Sequence, residues 1–168
     1  MIHVYTGNGK GKTTAAIGLA LRSLGWGSRV ALLQFLKLNA SGELRGLARF
    51  KNCKVQQFGT ENFITEETAD ELDRQLAEDG CSRAEEILSD KSADLVILDE
   101  INVALHLKLI EIKRIIDMIA VCPPEIELVL TGRDCPSEII SLADYVSEIK
   151  EIKHPYRNGI TAREGIEY

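Results

Sequence analysis

The sequence predicts an α/β protein in which a mostly parallel sheet of about six strands lies between layers of helices. Two observations carry that expectation. Short apolar runs alternate along the whole chain with segments of helical period, the pattern of βα units. A stretch rich in glycine and lysine joins the first apolar run to the first helical segment, the place where open α/β sheets bind anions. The 168 residues correspond to about one domain, 1–168, able to bury roughly two-thirds of the surface of its unfolded chain.

Taken in order, Ile2–Thr6 is the first predicted strand. Lys12–Leu24 follows as a helix, rich in Ala and Leu, poor in polar residues and stopped by Gly25-Trp26-Gly27. It should be buried on most sides, with Trp26 packing on its loop. Arg29–Phe35 and Lys54–Gly59 are the next strands. Thr65–Ser89 reads as a long helix, with Thr65 as N-cap and Glu66 and Glu67 at the positive end of the dipole. Leu72, Leu76, Ala77, Ala84, Ile87 and Leu88 form its apolar stripe; Glu71, Asp73, Arg74, Glu78, Arg83 and Glu85 form its solvated face. Leu95–Asp99 and Glu127–Thr131 are strands, and Leu128-Val129-Leu130 offers no polar alternate, as a strand covered on both faces requires. Helices are expected at Ile112–Ile119 and at Ser137–Leu142, the second after Pro136, where a missing N–H costs nothing. Tyr145–Ile152 is the last strand.

Composition excludes several classes of function. Hydrophobic residues make up 45% and charged residues 27% of the chain, with only 4 prolines, so disorder and low complexity are out. Lys and Arg number 20 against 26 Asp and Glu, and the net charge of −6 repels phosphate backbones and anionic lipid. Neither a nucleic acid nor a membrane is an expected partner. No apolar run approaches the roughly 18 residues that span a bilayer, and the chain opens on a strand pattern in place of a signal peptide, so a cytoplasmic location is expected. Cys53, Cys81, Cys122 and Cys135 are scattered without C-x-x-C spacing and read as reduced packing residues.

Chemistry is concentrated in Gly7-Asn8-Gly9-Lys10-Gly11-Lys12-Thr13-Thr14, between the first strand and the first helix. Glycines let successive backbone N–H groups turn toward phosphate oxygens, and the helix N-terminus adds partial positive charge. Lys12 adds a full charge, and Thr13 offers a hydroxyl to Mg²⁺. The usual G-x-x-x-x-G-K-[ST] frame requires glycine at position 6, where this chain has Thr6, with Gly7 one residue too close. The loop is one residue short. A β-branched threonine resists positive φ, so phosphates should be held differently from those in an ordinary NTP hydrolase.

A second element, Ala93 to Glu100, is an apolar strand that delivers two adjacent carboxylates to the carboxyl edge of the sheet. Asp99 or Glu100, directly or through water, can hold magnesium opposite Thr13. Together the two motifs predict nucleotide binding on a P-loop NTPase-like (RecA-like) three-layer αβα sandwich. Arg133 follows the fifth strand at the same edge. Its guanidinium either forks onto phosphate oxygens or pairs with Asp134 or Glu138 at a helix start. His3 and His106 suggest no partner.

Four blocks then resemble one family, the ATP:corrinoid adenosyltransferases of the cob(I)alamin and cob(I)yrinic acid a,c-diamide type, over Val4 to Tyr168. They are the loop block Val4 to Thr14, the strand Val96 to Glu100, Leu130-Thr131-Gly132-Arg133, and the tail. The tail runs Lys153-His154-Pro155-Tyr156-Arg157-Asn158-Gly159-Ile160 through Gly165-Ile166-Glu167-Tyr168. It is the discriminating block, because phosphate loops are widespread and such a terminus is not. The resemblance implies that a Co(I) corrinoid attacks C5′ of ATP, forms a cobalt–carbon bond and expels inorganic triphosphate, with the nucleotide reversed relative to P-loop hydrolases.

On that reading Lys12 and Arg133 stabilise the leaving charge, with Lys10 and the N–H groups of Asn8, Gly9, Gly11, Thr13 and Thr14 around it. Mg²⁺ sits on Thr13 with Asp99 or Glu100, and His154 contacts the nucleotide. Phe63 matches an aromatic of the family's corrinoid site, where the lower axial base is stripped from Co(II). Thr65 stands where a second aromatic is common, and Phe58 either replaces it or belongs to the core. A reduced flavoprotein donor and a homodimer are the implied partners. Some relatives cover the active site with an N-terminal extension that this chain lacks, so water exclusion would fall to the tail or to a partner subunit. Two readings compete on the same residues. One is a small P-loop ATPase or kinase, and the other is a non-catalytic nucleotide sensor with an exposed apolar patch for a protein partner.

Overall fold

A computed structural model of the chain describes residues 1–38 and 40–166. Its strands are β1 (Ile2–Thr6), β2 (Val30–Phe35), β3 (Cys53–Phe58), β4 (Leu95–Asp99), β5 (Glu127–Thr131) and β6 (Tyr145–Glu148). Its helices are α1 (Lys12–Gly25), α2 (Gly42–Leu47), α3 (Glu71–Asp90), α4 (Ile101–His106), α5 (Ile112–Val121) and α6 (Ser137–Leu142), with a 3₁₀ turn at Pro155–Asn158. The strands form one sheet in the order β3-β2-β4-β5-β1-β6, and every neighbouring pair is parallel. This is the predicted P-loop NTPase-like three-layer architecture.

Alternation along the strands sorts the core into two faces. Leu32, Leu95, Ile97 and Val129 pack with Ala16, Ala20 and Leu24 of α1 and Leu47 of α2. Leu33, Val96, Leu98, Leu128 and Leu130 pack with Ala77, Ala84 and Ile87 of α3 and with Ile101, Ile115 and Ile139 of α4, α5 and α6. β2 and β4 are buried at every position, which is why they read as unbroken apolar runs. The same period of two decides the site. Gln34, Asp99 and Thr131 each follow, two places on, a residue of the α1 face, namely Leu32, Ile97 and Val129, so they too fall on that face.

The crossovers place the crevice. From β1 the chain runs through α1 past β5 and β4 to β2, whereas from β5 it runs through α6 on the opposite face and across β1 to β6. Connections leaving the carboxyl ends of β1 and β5 therefore part, and ligands of open α/β sheets bind where that happens.

Several elements differ from expectation. The long helix begins at Glu71 and not near Thr65. Asp70 is its N-cap, accepting from the Asp73 N–H at 3.0 Å while the Asp73 side chain accepts from the Asp70 N–H at 3.2 Å. That reciprocal box satisfies two orphan donors together, which an isolated threonine does not. Thr65 instead starts a separate turn, with the Thr68 and Ala69 N–H groups returning to its carbonyl. In consequence Asp73 is buried and Leu72 exposed, the reverse of the predicted stripe. β6 stops at Glu148 and is exposed throughout, because the chain leaves the sheet edge at Ile149 to cross the loop after β1. α2 and α4, at 6 residues each, are too short to show a readable period.

Trp26, expected to pack on its loop, is 89% exposed. His3 does have partners: its Nε2 lies 2.7 Å from Glu127 Oε2, and its ring stacks on Tyr145. All four cysteines are free, and burial pushes the Cys81 thiol up to about 12. Glu167 and Tyr168 of the terminal block lie outside the described residues. Among the described residues, no helix is long and apolar enough to cross a membrane.

The helix start gives a direct test. Asp70→Ala should cost about 1 kcal/mol of stability in urea unfolding at an unchanged m-value, whereas Thr65→Ala should stay within about 0.5 kcal/mol of the parent.

Candidate functional site

Beyond β1 the chain turns at once. Thr6 stays in the sheet, opposite Glu148 of β6, so the first left-handed residue is Gly7, at φ 97°. A Cβ at position 7 would lie 2.5 Å from the carbonyl oxygen of Ile149, so no larger residue fits. The short frame noted in the sequence thus reflects a strand that runs through position 6 and a turn delegated to position 7. The Gly9 N–H donates to the Ile149 carbonyl at 2.7 Å. This corrects the expectation that every loop N–H from Asn8 to Thr14 faces phosphate, since the Gly9 amide is engaged by the tail. Gly11 caps α1 without a side-chain bond, which leaves first-turn N–H groups of the helix for an anion.

Lys12 Nζ doubles back to donate to the carbonyls of Gly7 at 2.7 Å and Gly9 at 2.9 Å. Burial lowers its pKa, opposed by Glu100. A desolvated ammonium of this kind gains strongly from an anionic partner.

Beside the loop lies Asp99, fully buried. Its Oδ1 accepts from Thr13 Oγ1 at 2.8 Å and Thr131 Oγ1 at 2.7 Å; its Oδ2 accepts from Gln34 Nε2 at 3.1 Å and Lys37 Nζ at 3.0 Å. Gln57 Nε2 donates to Gln34 Oε1 at 3.0 Å, so a polar row crosses β3, β2, β4 and β5. Burial alone would raise the Asp99 pKa, but Lys37 and the Thr131 and Thr13 hydroxyls outweigh it and hold the carboxyl below its ordinary value. Thr131 Oγ1 also accepts from the Glu100 N–H at 3.0 Å. Glu100 is itself left-handed, at φ 65°, a strained conformation for a non-glycine residue. Its carboxyl faces the loop, and burial raises its pKa against the pull of Lys37.

Loop, Glu100 and tail line an open cavity of about 630 Å³. Of the predicted residues, Asn8, Gly9, Lys10, Gly11, Lys12, Thr13, Thr14, Glu100, Arg133 and His154 line it, and Asp99 lies behind Thr13. His154 Nδ1 accepts from the Tyr156 N–H at 3.2 Å, so the neutral ring carries its proton on Nε2 and offers a donor. Lys10 Nζ donates to the Ile166 carbonyl at 3.1 Å, drawing the tail across the loop. Phe63 is not brought in: it is 89% exposed and does not line the cavity. Phe58 is a core residue, its ring centroid 6.1 Å from that of Phe35.

Sequence reasoning missed Lys37, Glu151 and Tyr156, all on the cavity wall. A readable signal marks Lys37. It stands two places beyond a buried strand at the carboxyl edge, as Arg133 stands two beyond Thr131.

Among the described residues, no group of three or more His, Cys, Asp or Glu side chains is placed to hold a metal. Beside the start of α1 the wall offers the hard oxygens of Thr13 and Glu100. That partial set fits Mg²⁺, which keeps water and takes the rest of its shell from substrate phosphates.

Comparison with known proteins gives a consistent result. The family model of ATP:corrinoid adenosyltransferase BtuR/CobO/CobP matches residues 1–168. A corrinoid adenosyltransferase of Sinorhizobium sp. is 36% identical over 171 residues, covering 100% of this chain and 80% of the relative. The corrinoid adenosyltransferase of Escherichia coli K12 is 34% identical over 168 residues, covering 100% and 85%. Corrinoid adenosyltransferase CobA of Salmonella typhimurium is 34% identical over the same length, again covering 100% and 85%.

Glu100 supplies the test of this geometry. Its folded pKa is raised, so ionising it costs the folded state as pH climbs past the ordinary glutamate range. Glu100→Gln should therefore be at least as stable as the parent at pH 7 in thermal or urea unfolding, and the difference should close as the pH falls below the ordinary glutamate range.

Proposed function

The chain belongs to the ATP:corrinoid adenosyltransferase family, which transfers the adenosyl group of ATP to a corrinoid in cobalamin biosynthesis, and on that premise we propose how its own residues divide the work. The nucleotide's phosphates lie in the cavity between loop and tail, and a Co(I) corrinoid of the cob(I)yrinic acid a,c-diamide or cob(I)alamin type approaches from its mouth. The cobalt lone pair forms the bond to C5′, the C5′–O5′ bond breaks, and its electrons leave with inorganic triphosphate.

One observation supports this division above others. The cavity wall carries Lys10, Lys12, Lys37 and Arg133 within a chain of net charge −6. A leaving group that takes all three phosphates with it needs cationic stabilisation along its length and little acid–base chemistry. Lys12 and Arg133 are the principal stabilisers, His154 orients the nucleotide through its Nε2–H, and the first-turn N–H groups of α1 hold phosphate oxygens. Asp99 already accepts four hydrogen bonds, which fills the roughly four lone-pair sites of a carboxylate. Glu100 and Thr13 would therefore hold Mg²⁺ directly, and Asp99 would act by orienting the Thr13 hydroxyl. Bound there, the ion would neutralise phosphate charge.

A wall so rich in charge does not suit the corrin ring. Phe63, exposed outside the cavity, is the residue proposed to meet the corrinoid and to favour loss of its lower axial base. A homodimer, a reduced flavoprotein as electron donor, a cytoplasmic setting and a single nucleotide-binding domain over 1–168 complete the reading.

Product identity tests it. Anaerobic incubation with ATP, Mg²⁺ and a reduced corrinoid should give adenosylated corrinoid and inorganic triphosphate in equal amounts; ADP and phosphate would establish hydrolysis on the same residues instead. Lys12→Ala should lower kcat/KM by about 10²-fold or more. Phe63→Ala should leave ATP binding intact and impair only turnover that begins from Co(II), read by comparing chemically pre-reduced with enzymatically reduced corrinoid.

A further inference from the structure

Lys37 is held more deliberately than a surface lysine needs to be. Its ammonium lies 3.0 Å from Asp99 Oδ2 and 3.7 Å from Glu100 Oε1, and its side chain reaches the cavity wall. The backbone that aims it is built by two strands. Leu36 is left-handed at φ 59° and donates its N–H to the Phe58 carbonyl at 2.8 Å. Gly59 lies against the same turn, where a Cβ would come within 2.2 Å of the Lys37 nitrogen. Any residue with a Cβ is thereby excluded at position 59, and the strain at Leu36 is retained at a point where it directs one charge.

That charge competes for a carboxylate. Glu100 is the oxygen donor assigned above to the divalent cation, and an ammonium and a dication cannot share one carboxylate at close range without strong mutual repulsion. Asp99 has no such freedom, because its other three donors come from Thr13, Thr131 and Gln34. An anion entering the cavity offers Lys37 an alternative partner. Its ammonium, on a flexible four-carbon stem, can turn from Glu100 to a phosphate oxygen while keeping its bond to Asp99.

We propose that Lys37 is a further triphosphate-contacting residue of the transfer, and that it and the divalent cation are alternative partners of Glu100. Nucleotide binding draws Lys37 onto the phosphates and frees Glu100 for the metal. Phosphate binding and metal binding are thereby coupled through one side chain. The inference rests on the reading of Thr13 and Glu100 as metal-holding residues.

The test uses the full-length chain and its Lys37→Gln and Lys37→Arg variants, each first checked to be fully folded at the assay temperature, since Lys37→Gln removes the charge that pairs buried Asp99. Mn²⁺ binding without nucleotide is read by electron paramagnetic resonance, and inorganic tripolyphosphate binding by calorimetry. Lys37→Gln should bind Mn²⁺ about 5- to 10-fold more tightly and tripolyphosphate about 10-fold more weakly, whereas Lys37→Arg should restore tripolyphosphate affinity to within about 3-fold. Opposite signs are the signature, since a merely structural lysine would move both constants together or neither. If Lys37→Gln binds Mn²⁺ no better than the parent, or binds tripolyphosphate equally well, the role of Lys37 is overturned. If no variant takes up Mn²⁺, the assignment of Thr13 and Glu100 fails first and takes this inference with it.

Discussion

The carboxylate of Asp99 is buried among four hydrogen-bond donors, and these arrive from α1, from β2, from the segment just beyond β2, and from β5. Burying a charge costs several kcal/mol unless it is paired and its lone pairs are filled. Here Lys37 pairs it, and two hydroxyls and an amide fill the rest. Each donor therefore fixes the element that carries it. Thr13 holds the first turn of α1 against β4, Thr131 links β5 to the backbone of Glu100, and Gln34 transmits the row outward to Gln57. The phosphate loop is positioned by this carboxylate as much as by its own glycines.

Charge in this molecule is sorted by place. The chain is acidic overall, yet the cavity at the carboxyl edge of the sheet gathers Lys10, Lys12, Lys37 and Arg133. Long-range repulsion from a net negative surface is weak beyond about a Debye length of roughly 8 Å, so the local field inside the cavity governs the anion. Strain is sorted too. Leu36 and Glu100, two of the non-glycine residues with positive φ, directly follow β2 and β4, and Asp134 lies just past β5. The other two, Lys91 and Lys108, follow α3 and α4, and among the described residues none lies within a strand.

The strands and the loop were legible because their signals are local. Apolar runs of buried parallel strands, and glycines next to lysine and threonine between a strand and a helix, can be read without knowing any neighbour. What escaped reading was set mostly by contacts distant in sequence, with one local exception. The start of α3 turned on Asp70 and Asp73 answering each other, whereas the sequence reading rests on Thr65 followed by Glu66 and Glu67. The engagement of Gly9 depended on Ile149, 140 positions away in the chain, and the end of β6 on the same crossing. Lys37 carries a local signal, its place two residues beyond a buried strand, but its partners follow from the register Gln34↔Asp99, which sets the end of β2 beside the carboxylates.

The hydrogen bond between Gly9 and Ile149, with Gly7 pressed against the same peptide, carries an implication for how such a site can be inherited or transplanted. Loop length here is not an independent variable. Lengthening the loop to the common spacing would displace the residue against which the carboxy-terminal segment is laid, and trimming that segment would release a turn whose geometry it enforces. The two stretches therefore form one module despite standing at opposite ends of the polypeptide. A chimera that exchanges either alone should lose the architecture of both.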